Sequence, residues 1–330
     1  MIVLGIESSC DDTAVSIVKD GSTILSSVVS SQTQTHHPYG GVVPELASRK
    51  HMEAIFPVFE EAVKKAGENG IDGVSATQGP GLIGSLLVGF SFAKAYAYAR
   101  NLPFIGVSHL KSHINSVFLT DDPPPFPFTA MLVSGGHTAI YDVAGHKEMK
   151  LMGQTRDDAA GEAFDKAAKL MGLGYPGGVV MGRLADEGKK RDIDFPRTFL
   201  DRDQFDFSFS GIKTAVLRYL QTHENWRDEI EDIAYAFQEA VTDVLSFKLI
   251  HAAEKRKVSH IALTGGVAAN KRLREKTREA AEKKGMKLHV PPISLCGDNA
   301  AMIAALGYHY LKDGETSPLD ADVYSRETFD

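Results

Sequence analysis

The feature that most constrains this fold is an internal repeat. Residues 2–21, IVLGIESSCDDTAVSIVKDG, run as apolar strand, small polar turn, Thr-Ala, apolar strand and Gly; residues 128–145, FTAMLVSGGHTAIYDVAG, follow the same plan. Thr13-Ala14 of the first copy corresponds to Thr138-Ala139 of the second, about 125 residues later. Apolar runs with β-branched residues, bounded by Gly, Ser and Asp, read as paired strands. A strand hairpin cannot bury both of its faces by itself, so each copy demands further elements around it.

Those elements can be read along the chain. Helices are expected at about 43–66, 82–100, 159–172, 230–256 and 299–311, with strands at DGVSATQG, FIGVSHL, HIALT and KLHV. TDDPPPFPF at 120–128 cannot be helical through its three consecutive prolines, and it separates the two copies. The expectation is an α/β protein of two lobes, 1–125 and 126–330, each a duplicated βββαβα unit, with the closing helix 299–311 open to pack back on the first lobe. Two lobes with glycine-rich hairpin turns form the pattern of the actin/sugar-kinase/Hsp70 (ASKHA) fold, with an active-site cleft between the lobes. QGPGLIGSL lacks the Gly-Lys-Ser/Thr end of a P-loop, so that fold is excluded. The segment 172–211 reads as an irregular insertion and 313–330 as a polar tail draped over the surface.

Two cysteines among 330 residues, Cys10 and Cys296, supply neither a disulfide framework nor a CxxC pair. GLIGSLLVGFSFAKAYAYA is interrupted by Lys94 and small residues and reads as a buried helix rather than a membrane span. The start, MIVLGIESS, has no basic or cleavable leader pattern, so a cytoplasmic protein is expected. A net charge of −7 argues against a dedicated nucleic-acid binder, yet twelve Lys/Arg against four Glu between 248 and 287 make a local excess of +8. Such a run is either a solvated helix face or a patch for a polyanion.

His109 and His113 stand four apart after a strand and project from one face of a helix, within reach of one metal ion. A lone pair at this spacing is more often structural or fortuitous than a metal site. A metallopeptidase would need Glu after the first histidine, and that position is Leu110, so the motif has no general base. Asp298, just before the closing helix, is either a third ligand or a helix cap. LVSGGHT (132–138) and LTGGVAAN (263–270) each end an apolar strand with two glycines, a turn that lets backbone N–H groups approach a phosphate. Glu162 and Asp165 sit on consecutive turns of one helix, either a solvated face or part of a site, and GYPGG (174–178) is a turn whose glycines can pass close to a ligand.

In order, GIESSCDDT, YGGVVPELASRKH, GPGLIGSLLVG, His109-x-x-x-His113, LVSGGHT, DDAAGEAFDK, GYPGG, TGGVAAN and GDNAAM resemble the universal tRNA threonylcarbamoyladenosine (t6A) synthesis family. Its archaeal and eukaryotic members are the catalytic subunits of KEOPS, and the family was formerly described as O-sialoglycoprotein endopeptidases. The SGGHT motif with His137 is similar to the bacterial branch. Lys111-Ser112 departs from the Glu and small residue common there, leaving the histidines intact. The resemblance implies an acyltransferase that moves threonylcarbamoyl from threonylcarbamoyl-AMP to N6 of adenosine 37 in tRNAs reading ANN codons, releasing AMP. It implies one iron or zinc ion on His109, His113 and Asp298, with magnesium accompanying bound nucleotide. Contacts to the nucleotide and acyl donor are implied at Leu132, Val133, Ser134, Gly135, Gly136, Asp165, Gly178 and Asn270. It also implies partners: the tRNA anticodon loop, a paralogous non-catalytic ASKHA subunit and a P-loop ATPase. No feature names the general base; His137 is the candidate. The alternative is an ASKHA small-molecule kinase or ATPase, which would have no need of His109 or His113.

Overall fold

In a computed structural model the described residues are 1–67, 70–189, 192–198 and 204–327. The chain begins with β1 (Ile2–Glu7), β2 (Asp12–Lys19), β3 (Thr23–Ser31), α1 (Thr33–His36), α2 (Pro44–Ala66), β4 (Gly73–Gly79), α3 (Ile83–Arg100), β5 (Phe104–Ser108) and α4 (His109–Asn115). It continues with β6 (Phe128–Val133), β7 (Thr138–Val143), β8 (Met149–Gln154), α5 (Ala160–Leu170), α6 (Gly177–Glu187) and α7 (Ser210–Thr222). The last elements are α8 (Ile230–Arg256), β9 (His260–Thr264), α9 (Lys271–Lys283), β10 (Lys287–His289) and α10 (Ala300–Lys312).

These elements form two five-stranded sheets of one topology. The first has the order β3-β2-β1-β4-β5 and the second β8-β7-β6-β9-β10, with antiparallel hairpins on one side and parallel strands on the other. The hairpin tips are equal in length, Ser8–Asp11 and Ser134–His137. Ala14 pairs with Glu7 and Ala139 with Leu132, so the Thr-Ala steps hold equivalent places. This is the duplicated ASKHA architecture.

Two units make up the chain. Unit 1 comprises Met1–Pro123, Gly145–Glu148 and Pro291–Asp330, and unit 2 comprises Pro124–Ala144 and Met149–Val290. The boundary expected after 125 places 126–330 in the second lobe with the closing helix open to pack back on the first; Pro291–Asp330 falls in unit 1, where the apolar face of α10 packs on the first sheet. Segment 172–211 also holds more order than an irregular insertion, since α6 begins directly after Tyr175-Pro176. Residues 190–191 and 199–203 of that segment, and 328–330 of the tail, lie outside the described residues.

Strand alternation explains how unit 1 is layered. Leu4 and Ile6 of β1 share a core with Ile55 and Val58 of α2 and Phe90 of α3, whereas Val3 packs with Ala301, Met302 and Ile303 of α10. A sheet covered on both faces needs nearly continuous apolar strands, as found in β1 and β2. Gly5 points to α10, and a Cβ there would lie 2.3 Å from the Ala300 carbonyl oxygen and 2.7 Å from the Ala304 nitrogen. Backbone atoms cannot move aside, so Gly5→Ala is expected to destabilise the protein by about 2–3 kcal/mol. A denaturant midpoint equal to that of the parent would refute this account of the α10 contact.

The tail covers the free edge of the first sheet. Ser317 donates its N–H to the Phe104 carbonyl at 2.7 Å, Tyr324 donates to the Gln78 carbonyl at 3.1 Å, and Ser108 donates its hydroxyl to Glu327 at 2.9 Å. Pairing an edge strand in this way blocks further strand addition.

Candidate functional site

The histidine pair is placed by local chain chemistry. Ser108 ends β5 and caps α4, its hydroxyl accepting from the Lys111 N–H at 3.3 Å. That fixes the helix start, so His109 and His113 lie one turn apart with ring centroids separated by 4.6 Å. At the start of α10 the cap is Asn299, whose Oδ1 accepts from Met302 N at 3.0 Å. Asp298 is thereby released from the capping role that its position allowed. Its Oδ1 lies 3.1 Å from His113 Nε2 and 3.6 Å from His109 Nε2.

Behind His109 stands Glu7. Residues 3, 5 and 7 of β1 face α10, which directs this carboxylate inward at the end of a central strand, fully buried. Glu7 Oε2 is 2.9 Å from His109 Nδ1 and accepts from the Thr77 hydroxyl at 2.6 Å, while Oε1 accepts from Ser9 N at 2.5 Å. A proton held on Nδ1 by Glu7 leaves Nε2 with its lone pair toward Asp298 and His113. This is the carboxylate–histidine arrangement that orients metal ligands.

The donor atoms of His109, His113 and Asp298 all lie within 4.8 Å of one another. Two imidazole nitrogens and one carboxylate suit zinc or ferrous iron better than magnesium, which prefers oxygen. The electrostatics fit a cation as well. Burial opposes a charge on His109, yet Glu7 and Asp298 outweigh it and raise its pKa to about 9. Burial pulls His113 down, with Asp298 countering in part, and its Nδ1 is buried without a hydrogen-bond partner among the described residues. Burial and the nearby Asp298 also raise Cys10 and Asp11. Carboxylates crowded in this way favour a bound positive ion.

Asp12, the first residue of β2, is pushed up to about 7, first by burial and then by repulsion from Asp298 and Asp11, and its Oδ1 is buried without a hydrogen-bond partner among the described residues. Its folded-state pKa therefore lies above that of the unfolded chain. The resulting penalty is absent below about pH 4, grows as pH rises and is complete above about pH 7. With a chelator present, Asp12→Asn is expected to stabilise the protein by about 2 kcal/mol at pH 8 and by nothing at pH 4. Thermal melts at the two pH values test this, and an equal gain at both would overturn it.

Unit 2 carries a cavity of about 510 Å³. Gly135, Asp165, Gly178 and Asn270, expected from separate motifs, all line it. The turn at its rim is closed by its own main chain, with Ser134 N donating to the His137 carbonyl at 2.8 Å and His137 N to Ser134 Oγ at 3.1 Å. The N–H groups of Gly135 and Gly136 meet no acceptor among the described residues, and no protein atom lies within 4 Å of a Cβ built on either. The buried Thr138 hydroxyl accepts from Ala160 N at 2.9 Å and the Ser134 carbonyl from Gly161 N at 3.2 Å, which seats the start of α5 against the turn. Asp165 Oδ1 accepts from Gly177 N at 2.7 Å and holds the start of α6.

A sequence profile described as TsaD, tRNA N6-adenosine threonylcarbamoyltransferase, matches residues 23–305. The chain belongs to this family. Threonylcarbamoyltransferases of that name are 60% identical in Desulforapulum autotrophicum (all of both chains), 51% in Syntrophus aciditrophicus (100% of this chain, 98% of the relative) and 48% in Clostridioides difficile (96% and 95%). Among solved structures, HypF of T. kodakarensis matches with a TM-score of 0.63 at 15% identity over 96% of this chain and 48% of HypF. Component A of the Acidaminococcus fermentans (R)-2-hydroxyglutaryl-CoA dehydratase matches with 0.56 at 18% identity over 94% and 99%. Both likenesses are of fold. As a threonylcarbamoyltransferase, the protein is a transferase that acts on tRNA.

Within this threonylcarbamoyltransferase, several expected residues have altered parts. Leu132 and Val133 are wholly buried in β6 and can offer a ligand only main chain. Glu162 lies in a surface ion pair with Lys166 at 2.9 Å, while Asp165 faces the cavity. The basic run 248–287 is not one solvated face. Lys248 is fully buried against the Gln204 carbonyl, Arg272 pairs with Glu239 at 2.6 Å, and Lys276 bridges Glu239 and Asp243. Lys255, Lys257, Lys271, Arg278 and Lys283 remain exposed. Glu7, inside GIESSCDDT, and Gln238 carry no expected role from the sequence. Each is a polar residue in an otherwise apolar strand or helix face, and that was the available signal. No helix among the described residues is long and apolar enough to cross a membrane.

Proposed function

We propose that the chain transfers threonylcarbamoyl from threonylcarbamoyl-AMP to N6 of adenosine 37 in tRNAs reading ANN codons. N6 attacks the carbamoyl carbon, the bond to the phosphate oxygen breaks, and AMP departs. The observation that carries this reading is the rim of the unit 2 cavity. Gly135, whose N–H meets no acceptor among the described residues, lines it together with Asp165, Gly178 and Asn270, a setting that suits an adenylate. Gly135 and Gly136 hold its phosphate and stabilise charge that builds on departing oxygens. His109, His113 and Asp298 would hold zinc or iron, with Glu7 orienting His109, and such an ion would supply Lewis-acid chemistry when bound. Adenosine 37 adjoins the anticodon in a single-stranded loop, so no duplex has to be opened.

Exposed basic residues of α9 and of the α8 end, including Lys271, Arg278 and Lys257, support a phosphate-backbone contact. On α2, Met52 and Phe56 are 63% and 53% exposed one turn apart, which supports a protein partner such as the paralogous subunit. His137 accepts the N6 proton in this scheme. His137→Ala is then expected to lower the transfer rate about 100-fold with AMP affinity unchanged. An unchanged single-turnover rate would remove His137 from the chemistry.

The test is reconstitution. Threonylcarbamoyl-AMP and an unmodified ANN-decoding tRNA are incubated with this protein, alone and with a paralogous subunit and a P-loop ATPase, and nucleosides are analysed by mass spectrometry. Appearance of t6A supports the proposal. Its absence in every combination, alongside ATP turnover with a small acceptor, would assign the chain to the kinase alternative.

A further inference from the structure

We infer that Gln238 is a specificity-determining residue of the unit 2 cavity, donating a hydrogen bond from Nε2 to a neutral acceptor on the nucleoside part of the bound nucleotide. The inference rests on the nucleotide reading of that cavity and deepens it.

The argument follows the direction of one hydrogen-bond chain. Leu273 N can only donate, and it donates to Asn270 Oδ1 at 2.9 Å as the cap of α9. That fixes the Asn270 amide, so Nδ2 is the end that reaches Gln238. Gln238 must answer with an acceptor, and its Oε1 receives Nδ2 at 2.7 Å. The remaining end of Gln238 is then Nε2, which only donates. The polarity of the final group is thus set by a backbone N–H two residues away along the chain of bonds.

Gln238 sits in the middle of α8 between Phe237 and residues of the helix core, and is only 3% exposed. An amide donor with no protein acceptor that opens on a cavity is placed to bond whatever occupies it, since such groups in folded proteins nearly always have a partner. No acceptor for Nε2 exists among the described residues, and Gln238 lines the cavity. Gly182 of α6 keeps the amide pair open to it: a Cβ there would stop 3.8 Å from both Asn270 Nδ2 and Gln238 Oε1, so no side chain at that position covers them. Phe164, Val179, Val267 and Ala269 line the same cavity. An uncharged donor among apolar walls suits a base nitrogen or a ribose hydroxyl. A phosphate is better served by the glycine turn.

The test measures binding of AMP and its analogues to the full chain by calorimetry. The probes are 1-, 3- and 7-deaza-AMP, which each lack one ring acceptor, and 2′-deoxy- and 3′-deoxy-AMP, which each lack one hydroxyl. One of the five is expected to bind wild type on the order of tenfold more weakly than AMP. That same loss should disappear in Gln238→Leu, because the partner is already gone. Gln238→Glu keeps an oxygen for Asn270 and serves as the variant that preserves the internal bond. It separates the two sources: a ring nitrogen cannot donate to a carboxylate and loses affinity, whereas a hydroxyl turns its proton round and keeps it. Losses in Gln238→Leu that simply add to those of every analogue would overturn the inference and leave Gln238 as a support for Asn270. Equal binding of all five analogues to wild type would overturn it without recourse to any variant. Failure of AMP itself to bind wild type would overturn the nucleotide reading, and this inference with it.

Discussion

Replacing His109 and His113 together by alanine is expected to lower t6A formation more than about 1,000-fold and to abolish stoichiometric zinc or iron. Two of the three candidate ligands are removed, and a lone carboxylate 24% exposed is not expected to retain an ion. The helix that carries them should survive. Ser108 still caps α4, and Leu110 and Ile114, 3% and 0% exposed, still anchor it in the core. Glu7 loses its buried partner, so a lower melting temperature is expected, and circular dichroism at the assay temperature must show a folded protein. Metal analysis of the purified variants supplies a readout independent of activity. Glu7→Gln provides the graded case: His109 keeps a hydrogen-bond acceptor but loses the carboxylate that raises its basicity, and metal affinity should fall about 10–100-fold. Retention of metal by the double variant would show that the ion is held elsewhere.

The second large effect is expected at Gly161. A Cβ at this position would lie 2.6 Å from the Ser134 carbonyl oxygen and 2.8 Å from Gly135 Cα. Gly161→Val must therefore push the first turn of α5 away from the glycine turn, breaking the bond from Gly161 N to Ser134 O and moving Gly135 and Gly136. AMP affinity should drop more than about 100-fold, since both the phosphate donors and Asp165, on the same helix, are displaced. Gly178→Ala makes a useful contrast. A Cβ there approaches only Phe164 Cβ, at 3.9 Å, so the protein itself tolerates it. Any loss of AMP affinity in that variant must come from the ligand. Near-normal AMP binding by Gly161→Val would mean that the turn is not where the nucleotide sits.

Several residues show why the sequence was informative in some places and silent in others. The helix from Pro44 to Ala66 carries an apolar face, and the paired hairpins are apolar runs bounded by Gly, Ser and Asp, so local physics decides such elements. The His109–His113 face is likewise local, set by 3.6 residues per turn. Asp298 was ambiguous for a local reason: it and Asn299 compete for one capping position, and only the backbone geometry shows that Asn299 takes it. In the run 248–287, charge was plain from composition but pairing was not. Glu239 and Asp243 on α8 neutralise Arg272 and Lys276 on α9, and no window of sequence places those helices side by side.

By itself, then, the sequence determined the repeat, five of the helices, the two glycine turns and the spacing of the histidines, because each depends on residues within a few positions of one another. Tertiary structure decided the rest. It brought Glu7 from the end of β1 to His109, about a hundred residues away, returned α10 and Asp298 to the first sheet, and linked Asn270 to Gln238 so that the amide ends on a donor. These contacts depend on which sheet face a strand residue occupies and on how closely a helix can approach a glycine, and both are properties of packing between distant segments.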